Sequence, residues 1–401
     1  MIGRPISIYG PAAARYLIGT SVTTGTAPNQ IVTPVPGNLL DGYGTDGRTD
    51  FRSDSYAAFG EVNWRPIDRL TLTGGLRYTY EEKEGTYDTF VFGGRATTNT
   101  ALMNAKLSIL RPQTYAASDK DGDVTGRANV SYQITDDILG YASFARGAKS
   151  GGINMSGLPL NDQNQPAIGT AVVRPEQNTA YEIGLKTRLF DNRLIFNIDG
   201  FYTRVTDFQT NVSDTRAAAA LRTYLANIPR VTVKGFEADA IAMLTRDLSL
   251  RASVAYADGE YADYPSGPCP IERIGNTAAA CDLSGVGLPG LPKWSLTAGG
   301  DYALPLSGPG GEVLLHADAV AKTRQLGDPT GSRFTTIGSY ALVNGSIGFR
   351  SAQGWELAVF ARNLFDRDYI QNVTIQAGNS GLILATPSDP QTIGVTFRAR
   401  Q

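Results

Sequence analysis

The feature of this sequence that most restricts its fold is a hydrophobic period of two, repeated in segments of about ten residues. From Leu70 to Tyr80 the even positions are Leu, Leu, Gly, Leu, Tyr and Tyr, whereas the odd positions between them are Thr, Thr, Gly, Arg and Thr. The same separation recurs from Val124 to Ile134 and from Leu248 to Tyr256. Because successive side chains on a strand point to opposite faces, the pattern predicts strands with one apolar and one polar face.

About thirteen such segments are present, and the apolar faces of the clearest ones contain no Lys, Arg, Asp or Glu. A soluble β-sandwich also alternates, but its strands are shorter, about five or six residues, and some charge reaches the buried face at strand ends. A charge facing lipid costs about 2–4 kcal/mol at the bilayer midplane, which removes it from every membrane strand alike. The sequence therefore predicts an all-β, antiparallel transmembrane barrel. No run of about 18 apolar residues indicates a membrane helix.

The connections between the segments alternate between very short and long. The short ones are 65–68, 135–137, 191–192, 245–247, 307–310 and 352–354, and the long ones are 81–122, 148–175, 209–229, 259–292, 323–338 and 364–390. Long unstructured connections are uncommon in soluble domains. Tight periplasmic turns at one rim and long extracellular loops at the other are typical of outer-membrane barrels. Trp64, Trp294 and Trp355 lie at segment ends, where interfacial aromatic girdles are expected.

Composition and candidate chemical groups exclude several classes of function. With 36 Lys+Arg against 38 Asp+Glu and no basic stretch, we expect no nucleic-acid partner. His316 is the only histidine and alternates onto a polar face, so it is expected to be a satisfied polar residue and the protein is expected not to be an enzyme. The Asp119–Asp123 run lacks the downstream Glu of a calcium loop and is interpreted as a solvated turn. No cofactor and no metal site are predicted.

Cys269 and Cys281 are the only cysteines, and they lie close together in one long connection. Two unpaired thiols are the alternative, but the even count and short spacing favour a disulfide in an oxidising compartment. At the N-terminus, Met1 to Tyr9 lack the basic segment, apolar core and cleavage site of a signal peptide. An exported chain of this sequence is therefore expected to be a mature or truncated piece.

Several segments resemble the C-terminal half of the barrel of TonB-dependent outer-membrane receptors. They are YASFARGAKSGG at 141–152, RPEQNTAYEIGLKT at 174–187, GFEA at 235–238, CDLSG at 281–285 with LPKWS at 291–295, and NLFDRDY at 363–369. With the final strand near Phe397, the resemblance covers roughly residues 50 to 401. It implies a 22-stranded barrel, closed by an N-terminal plug, that imports a scarce bulky nutrient, typically a ferric siderophore.

The sequence departs from this family pattern in four ways. It shows no plug segment, no TonB box and only about 13–14 strands, and it ends in Gln401 rather than an aromatic residue. We therefore interpret residues 51–401 as the C-terminal portion of a receptor barrel and residues 1–50 as a remnant strand or extracellular loop. The implied partners are outer-membrane lipid, a ferric siderophore or similar nutrient, and the TonB energy-transducing complex, whose contact segment is absent here. A plugless, porin-like diffusion channel is the alternative.

In this family, ligands dock at the extracellular mouth, partly on long loops. Aromatic rings stack on planar chelators, and Arg binds anionic groups with bidentate geometry. The candidate ligand-facing residues are Tyr87, Phe90, Phe92, Arg95, Tyr115, Tyr261, Tyr264, Arg273, Arg324 and Arg333. For any single one, an ordinary solvated loop residue is an equally good interpretation.

Overall fold

The computed structural model describes residues 13–161, 163, 165–213, 223–273, 280–306, 310–375 and 382–399. Their main feature is one antiparallel sheet of thirteen strands in which every strand pairs with its neighbours along the chain. The strands are β1 (Gly44–Ile67), β2 (Leu70–Phe92), β3 (Thr114–Thr135), β4 (Ile138–Lys149), β5 (Glu176–Leu189), β6 (Leu194–Ser213), β7 (Thr223–Met243), β8 (Leu248–Asp263), β9 (Trp294–Pro305), β10 (Gly311–Lys322), β11 (Tyr340–Ser351), β12 (Trp355–Arg362) and β13 (Thr392–Ala399). The predicted number of strands is confirmed.

The register separates the two faces as the alternation predicts. Val254 of β8 pairs with Ala238 and Leu296, and Leu72 of β2 pairs with Val130, so apolar side chains continue from strand to strand. We call this side the apolar face. The opposite side, the polar face, includes Ser253, whose hydroxyl lies 2.6 Å from the hydroxyl of its pairing partner Thr297. The two segments that alternate less cleanly, 139–147 and 340–350, are also strands.

Several strands are much longer than the hydrophobic pattern indicates. The strands β1, β2 and β3 have 24, 23 and 22 residues, although about 9–11 suffice to cross a bilayer. The predicted loop at 81–122 is therefore wrong at both ends, since β2 continues to Phe92 and β3 begins at Thr114. The Asp119–Asp123 run is likewise part of β3 and not a turn. Where these extensions begin, at residues 81–86 of β2 and 118–123 of β3, neither side of the strand is apolar, so the hydrophobic period is lost.

The two rims of the sheet differ as expected. The short-turn rim carries tight connections such as 68–69, 136–137 and 190–193, where Phe190, Asp191 and Asn192 adopt positive φ. Part of the predicted turn at 307–310, residues 307–309, lies outside the described residues. The opposite edge, the loop rim, carries the long connections. These connections contain the helix Thr100–Ile109, the 3-10 turns Ile168–Thr170, Ile271–Arg273 and Arg333–Thr335, and the hairpins Gly152–Ile153/Val172–Val173, Gln325–Leu326/Thr336–Ile337 and Ile370–Ile375/Ile383–Pro387. The segment before β1 contains the helix Ala13–Leu17 and the hairpin Ser21–Thr24/Ile31–Pro34.

The most buried apolar residues lie towards the loop rim, some in the segments outside the sheet and some in the strand parts that reach this rim, such as Tyr115 of β3 and Ile228 of β7. One cluster includes Leu39, Leu40 and Tyr43, which pack against Leu102 and Ile109 of the helix Thr100–Ile109. This helix begins where the side chain of Asn99 accepts hydrogen bonds from the next turn's backbone. The long connections therefore fold into small cores of their own. Within the described ranges, no helix is long and apolar enough to cross a membrane.

Candidate ligand-facing wall and mouth

Paired charges line the polar face of the sheet. Arg127 contacts Glu61 at 2.6 Å, and Arg251 contacts Asp301 at 2.5 Å. A cavity of about 590 Å³ opens on this face between β1 and β4. Its lining includes Phe59, Glu61, Arg77, Asp121, Asp123 and Arg127. A surface of this kind is wettable and offers charges of both signs to a polar solute.

His316 lies on the polar face, as the alternation predicts. Its Nδ1 is 2.7 Å from Asp301 Oδ1 and its Nε2 is 3.1 Å from Asp318 Oδ1. Asp318 in turn accepts a hydrogen bond from the Asn344 amide, at 2.8 Å. The imidazole is thus held by carboxylates on both sides. Within the part of the chain that the structure describes, both ring nitrogens are hydrogen-bonded to carboxylates and neither to a hydroxyl or thiol, so the arrangement gives no support to nucleophilic catalysis.

Towards the loop rim, the polar face becomes partly buried. The Lys83 ammonium contacts Glu81 at 2.6 Å and also the Ser150 hydroxyl, and only 8% of Lys83 is exposed. Burial opposes the charge on Glu81, but hydrogen bonds from Lys83 and Ser150 outweigh it and lower the pKa of Glu81. Burial, together with the neighbouring Asp121, raises the pKa of Asp119. In the described residues, no group of three or more His, Cys, Asp or Glu could hold a metal ion.

The connection between β4 and β5 folds inward over this part of the polar face. Its Met155 lies so close to β2 that a Cβ on Gly85 would be 2.8 Å from the Met155 sulfur. Asn154 anchors the connection: its amide nitrogen donates to the carbonyls of Thr170 and Leu225, and its Oδ1 accepts from the Leu225 backbone. Because Leu225 belongs to β7, the connection reaches across β5 and β6. The connection between β4 and β5, anchored by Asn154, therefore narrows the opening over the polar face at the loop rim.

Two of the candidate ligand residues support that segment. Tyr87 and Tyr115 stack with their ring centroids 5.0 Å apart, and the Tyr115 hydroxyl donates to the Asn154 carbonyl at 2.6 Å. Burial raises the pKa of Tyr115 to about 12. Tyr115 is 6% exposed, so its ring packs inside the loop rim and is not accessible to a ligand. Tyr87 is partly exposed.

Tyr261, near the loop-rim end of β8, and Tyr264, in the connection from β8 to β9, belong to one buried core. Their exposures are 1% and 7%, and their rings meet edge to face at 5.3 Å. Burial raises the pKa of both phenols, to about 12 for Tyr264. The structure joins the sulfur atoms of Cys269 and Cys281 beside this core, with the Cα atoms 5.0 Å apart. These tyrosines stabilise the loop and do not present a ring at the mouth.

The candidate cations are distributed over the loop surface. Arg333 donates its backbone N–H to Glu272 Oε1 at 2.8 Å, and its guanidinium lies over the Phe334 ring at 4.9 Å. Glu272 and Arg333 thus join the connections after β8 and β10, whereas the Arg273 guanidinium lies 3.7 Å from Cys281 Sγ. Arg324 is exposed just after β10.

Three candidates lie away from this meeting point. Phe90 and Phe92 alternate with Tyr87 on β2 and so point to the opposite side of the strand, and Phe90 is 55% exposed there. Arg95 is used in loop packing, since its backbone N–H donates to Leu39 and its guanidinium to Asn38. The sequence analysis missed Asn154 and Gln113, whose side chains bond loop backbone. Buried amides of this kind leave no periodic signal in a sequence.

An antiparallel sheet of this length, with one apolar face, one polar face, short turns at one rim and folded loops at the other, defines the class of outer-membrane-type β-barrel proteins. A family profile described as TonB dependent receptor-like, beta-barrel, matches residues 7–364. The chain belongs to this family.

Relatives and solved structures of the same kind are similar to the chain over most of its length. The ferric-pyoverdine M114 receptor of Pseudomonas sp. (strain M114) is 26% identical over 328 residues, which cover 82% of this chain and 34% of the relative. The ferric yersiniabactin uptake receptor of Yersinia pestis superimposes with a TM-score of 0.66 at 18% identity, covering 89% of this chain and 47% of that structure. The siderophore receptor PiuA of Acinetobacter baumannii gives 0.61 at 20% identity, covering 93% and 45%. The chain thus spans between a third and a half of their lengths.

Proposed function

We propose that this chain forms the wall of an outer-membrane transporter that takes up a ferric siderophore or a similar bulky metal chelate in a TonB-dependent manner. The observation that carries the proposal is the polar face: it is lined with paired charges and is covered at the loop rim by connections that have cores of their own. A bulky solute needs such a wettable wall and such an ordered mouth. The names of the relatives, receptors for ferric pyoverdine and ferric yersiniabactin, support the class of ligand.

The distribution of aromatic side chains supports placement in a membrane. Trp294, at the loop-rim end of β9, lies 4.9 Å from Tyr256 and 5.7 Å from Phe236, measured between ring centroids. Trp64 and Trp355 lie near the short-turn rim. Aromatic rings at two heights on an apolar face are what an outer-membrane barrel uses at its two interfaces. The short-turn rim would then be periplasmic and the loop rim extracellular.

The test is ligand binding by the chain purified from outer membranes, measured by quenching of tryptophan fluorescence. The ligands are ferric pyoverdine, a ferric catecholate and ferric citrate, each compared with its iron-free form. We expect saturable quenching by at least one ferric chelate, and Trp294→Phe should reduce the signal without changing the midpoint. If no ferric chelate binds but another nutrient is taken up, the siderophore assignment is wrong and only the transporter class survives.

The same preparation separates import from passive diffusion. Liposomes that contain the protein should swell slowly in small sugars if the mouth and wall belong to a gated importer. Rapid swelling with no chelate binding would instead support the diffusion channel.

A further inference from the structure

A groove on the apolar face follows β4 and has no part in the proposed transport. Its volume is about 700 Å³. The floor of the groove is low because the two outward-facing residues of β4 at this point, Gly140 and Ala142, have no side chain or a small one. Bulky side chains of the neighbouring strands form the two ridges: they are Val130, Tyr132 and Ile134 on β3, and Ile183 and Leu185 on β5.

The two ends of the groove differ. Two residues closer to the loop rim on each strand, Phe144 of β4 and Tyr181 of β5 also face outward, and their ring centroids lie 5.3 Å apart. These two rings close the groove at its loop-rim end. At the other end, Ile134 is next to the turn that follows β3. The guanidinium of Arg69 lies there, donating to the Ile134 carbonyl and to Asp136, at 3.2 Å in each case. The groove is therefore apolar along its length, with a cation at its short-turn end.

We propose that this groove binds one acyl chain of a phospholipid from the periplasmic leaflet, with the phosphate of that lipid near Arg69. The proposal rests on the membrane placement proposed above. Gly140 and Ala142 are the third and fifth residues of β4, which places them roughly 5–11 Å above the short-turn rim for a strand tilted about 40°. That height lies within one leaflet, since the hydrocarbon core is about 30 Å thick. A lipid of the opposite leaflet would have to enter the groove from its loop-rim end, which Phe144 and Tyr181 block.

The groove can be filled without disturbing the sheet. A Cβ built on Gly200, which lines a side lobe next to Ile183, meets only the Gly235 carbonyl oxygen, at 3.8 Å. Gly200→Leu therefore places its side chain in open space inside the groove. Gly74→Leu is the matched control, because Gly74 lies on the apolar face of β2 with nothing within 4 Å of its Cβ position and does not line the groove. Ala142→Leu, with Ala128→Leu as its control, is an independent second pair.

The experiment is native mass spectrometry of the purified protein in detergent, titrated with phosphatidylglycerol. We expect one lipid bound more tightly than the rest, and an affinity about tenfold lower in Gly200→Leu and Ala142→Leu, which displace roughly two methylenes of the acyl chain. The two control variants should bind like the wild type, and Arg69→Gln should weaken binding of the anionic lipid. Heat-modifiable electrophoretic mobility reports folding of each variant separately.

Two results would overturn the proposal. One is equal lipid binding by the groove and control variants, and the other is preferential retention of lipid A. Chelate binding is measured independently, so a protein that binds ferric chelate but no phospholipid refutes the groove alone. A protein that binds phospholipid but no chelate refutes the transport proposal alone.

Discussion

Replacement of Val254 by lysine is the sharpest test of which face meets lipid. Val254 lies on the apolar face of β8, six residues from the start of the strand at Leu248, and pairs with Ala238 and Leu296. At about 3.4 Å per residue and a tilt of about 40°, this is roughly 16 Å above the short-turn rim, near the middle of the hydrocarbon core. A lysine there should cost about 2–4 kcal/mol, which corresponds to a factor of roughly 30 to 1,000 in the folding equilibrium.

The adjacent residue provides the control. Ser253 lies on the polar face, and Ser253→Lys should cost only the hydrogen bond with Thr297, about 1 kcal/mol. Urea unfolding in lipid vesicles, followed by tryptophan fluorescence, measures both variants against the wild type. If the two lysines are tolerated equally, or if Ser253→Lys is the worse, the assignment of the apolar face to lipid is refuted.

Three further predictions concern the loop rim. Cys269 and Cys281 should not react with a thiol reagent in unreduced, denatured protein, and reduction should cost about 3 kcal/mol in the chain-entropy model; two labelled cysteines per chain would contradict the bond. Asn154→Ala removes three side-chain hydrogen bonds, whereas Tyr115→Phe removes one bond of about 1 kcal/mol. Amide exchange at Leu225 should therefore be faster in Asn154→Ala than in Tyr115→Phe. Unchanged exchange in Asn154→Ala would show that Asn154 does not anchor the connection. Burial opposes the charge of Glu272, but hydrogen bonds, one of them from the Arg333 backbone, lower the pKa of Glu272 below the usual 4.5. The ionised carboxylate therefore stabilises the folded loop rim fully above pH 4.5, and this stabilisation is lost as the pH falls through the lowered pKa. Amide exchange at Arg333 should show this loss relative to Glu272→Gln, and identical pH profiles would exclude it.

The sequence was sufficient to predict the sheet where lipid imposes a pattern. From Leu70 to Tyr80 one side of the strand must be apolar, so the alternation marks both the strand and its orientation. Beyond Tyr80 the same strand continues for another twelve residues to Phe92, but from residue 81 to residue 86 neither of its sides is apolar. Backbone pairing such as that of Glu81 with Asp121 goes on without any hydrophobic period. Strand ends were therefore predicted too early wherever a strand rises above the apolar band.

The candidate ligand residues were harder to predict because residue type does not determine exposure. Tyr261 was chosen as an aromatic residue in a predicted long connection, yet it lies near the loop-rim end of β8 and is buried against Tyr264 and the bonded cysteines. Phe90 and Tyr87 lie in a predicted loop, and only the continuation of β2 through both residues shows that they face opposite sides of one strand. Contacts between separate connections, such as Glu272 with Arg333, depend on the folded loop rim and have no signal in the local sequence.

The number of strands in the sheet has a directional consequence. In an antiparallel sheet of thirteen strands, β1 and β13 run in the same direction across the membrane. Joining these two strands to each other, or to their equivalents in a second copy with the same orientation, would place parallel strands at every seam. Bacterial single-chain barrels are antiparallel with an even number of strands. An all-antiparallel barrel that contains this sheet must therefore insert an odd number of further strands between β13 and β1, and homodimerisation cannot replace them.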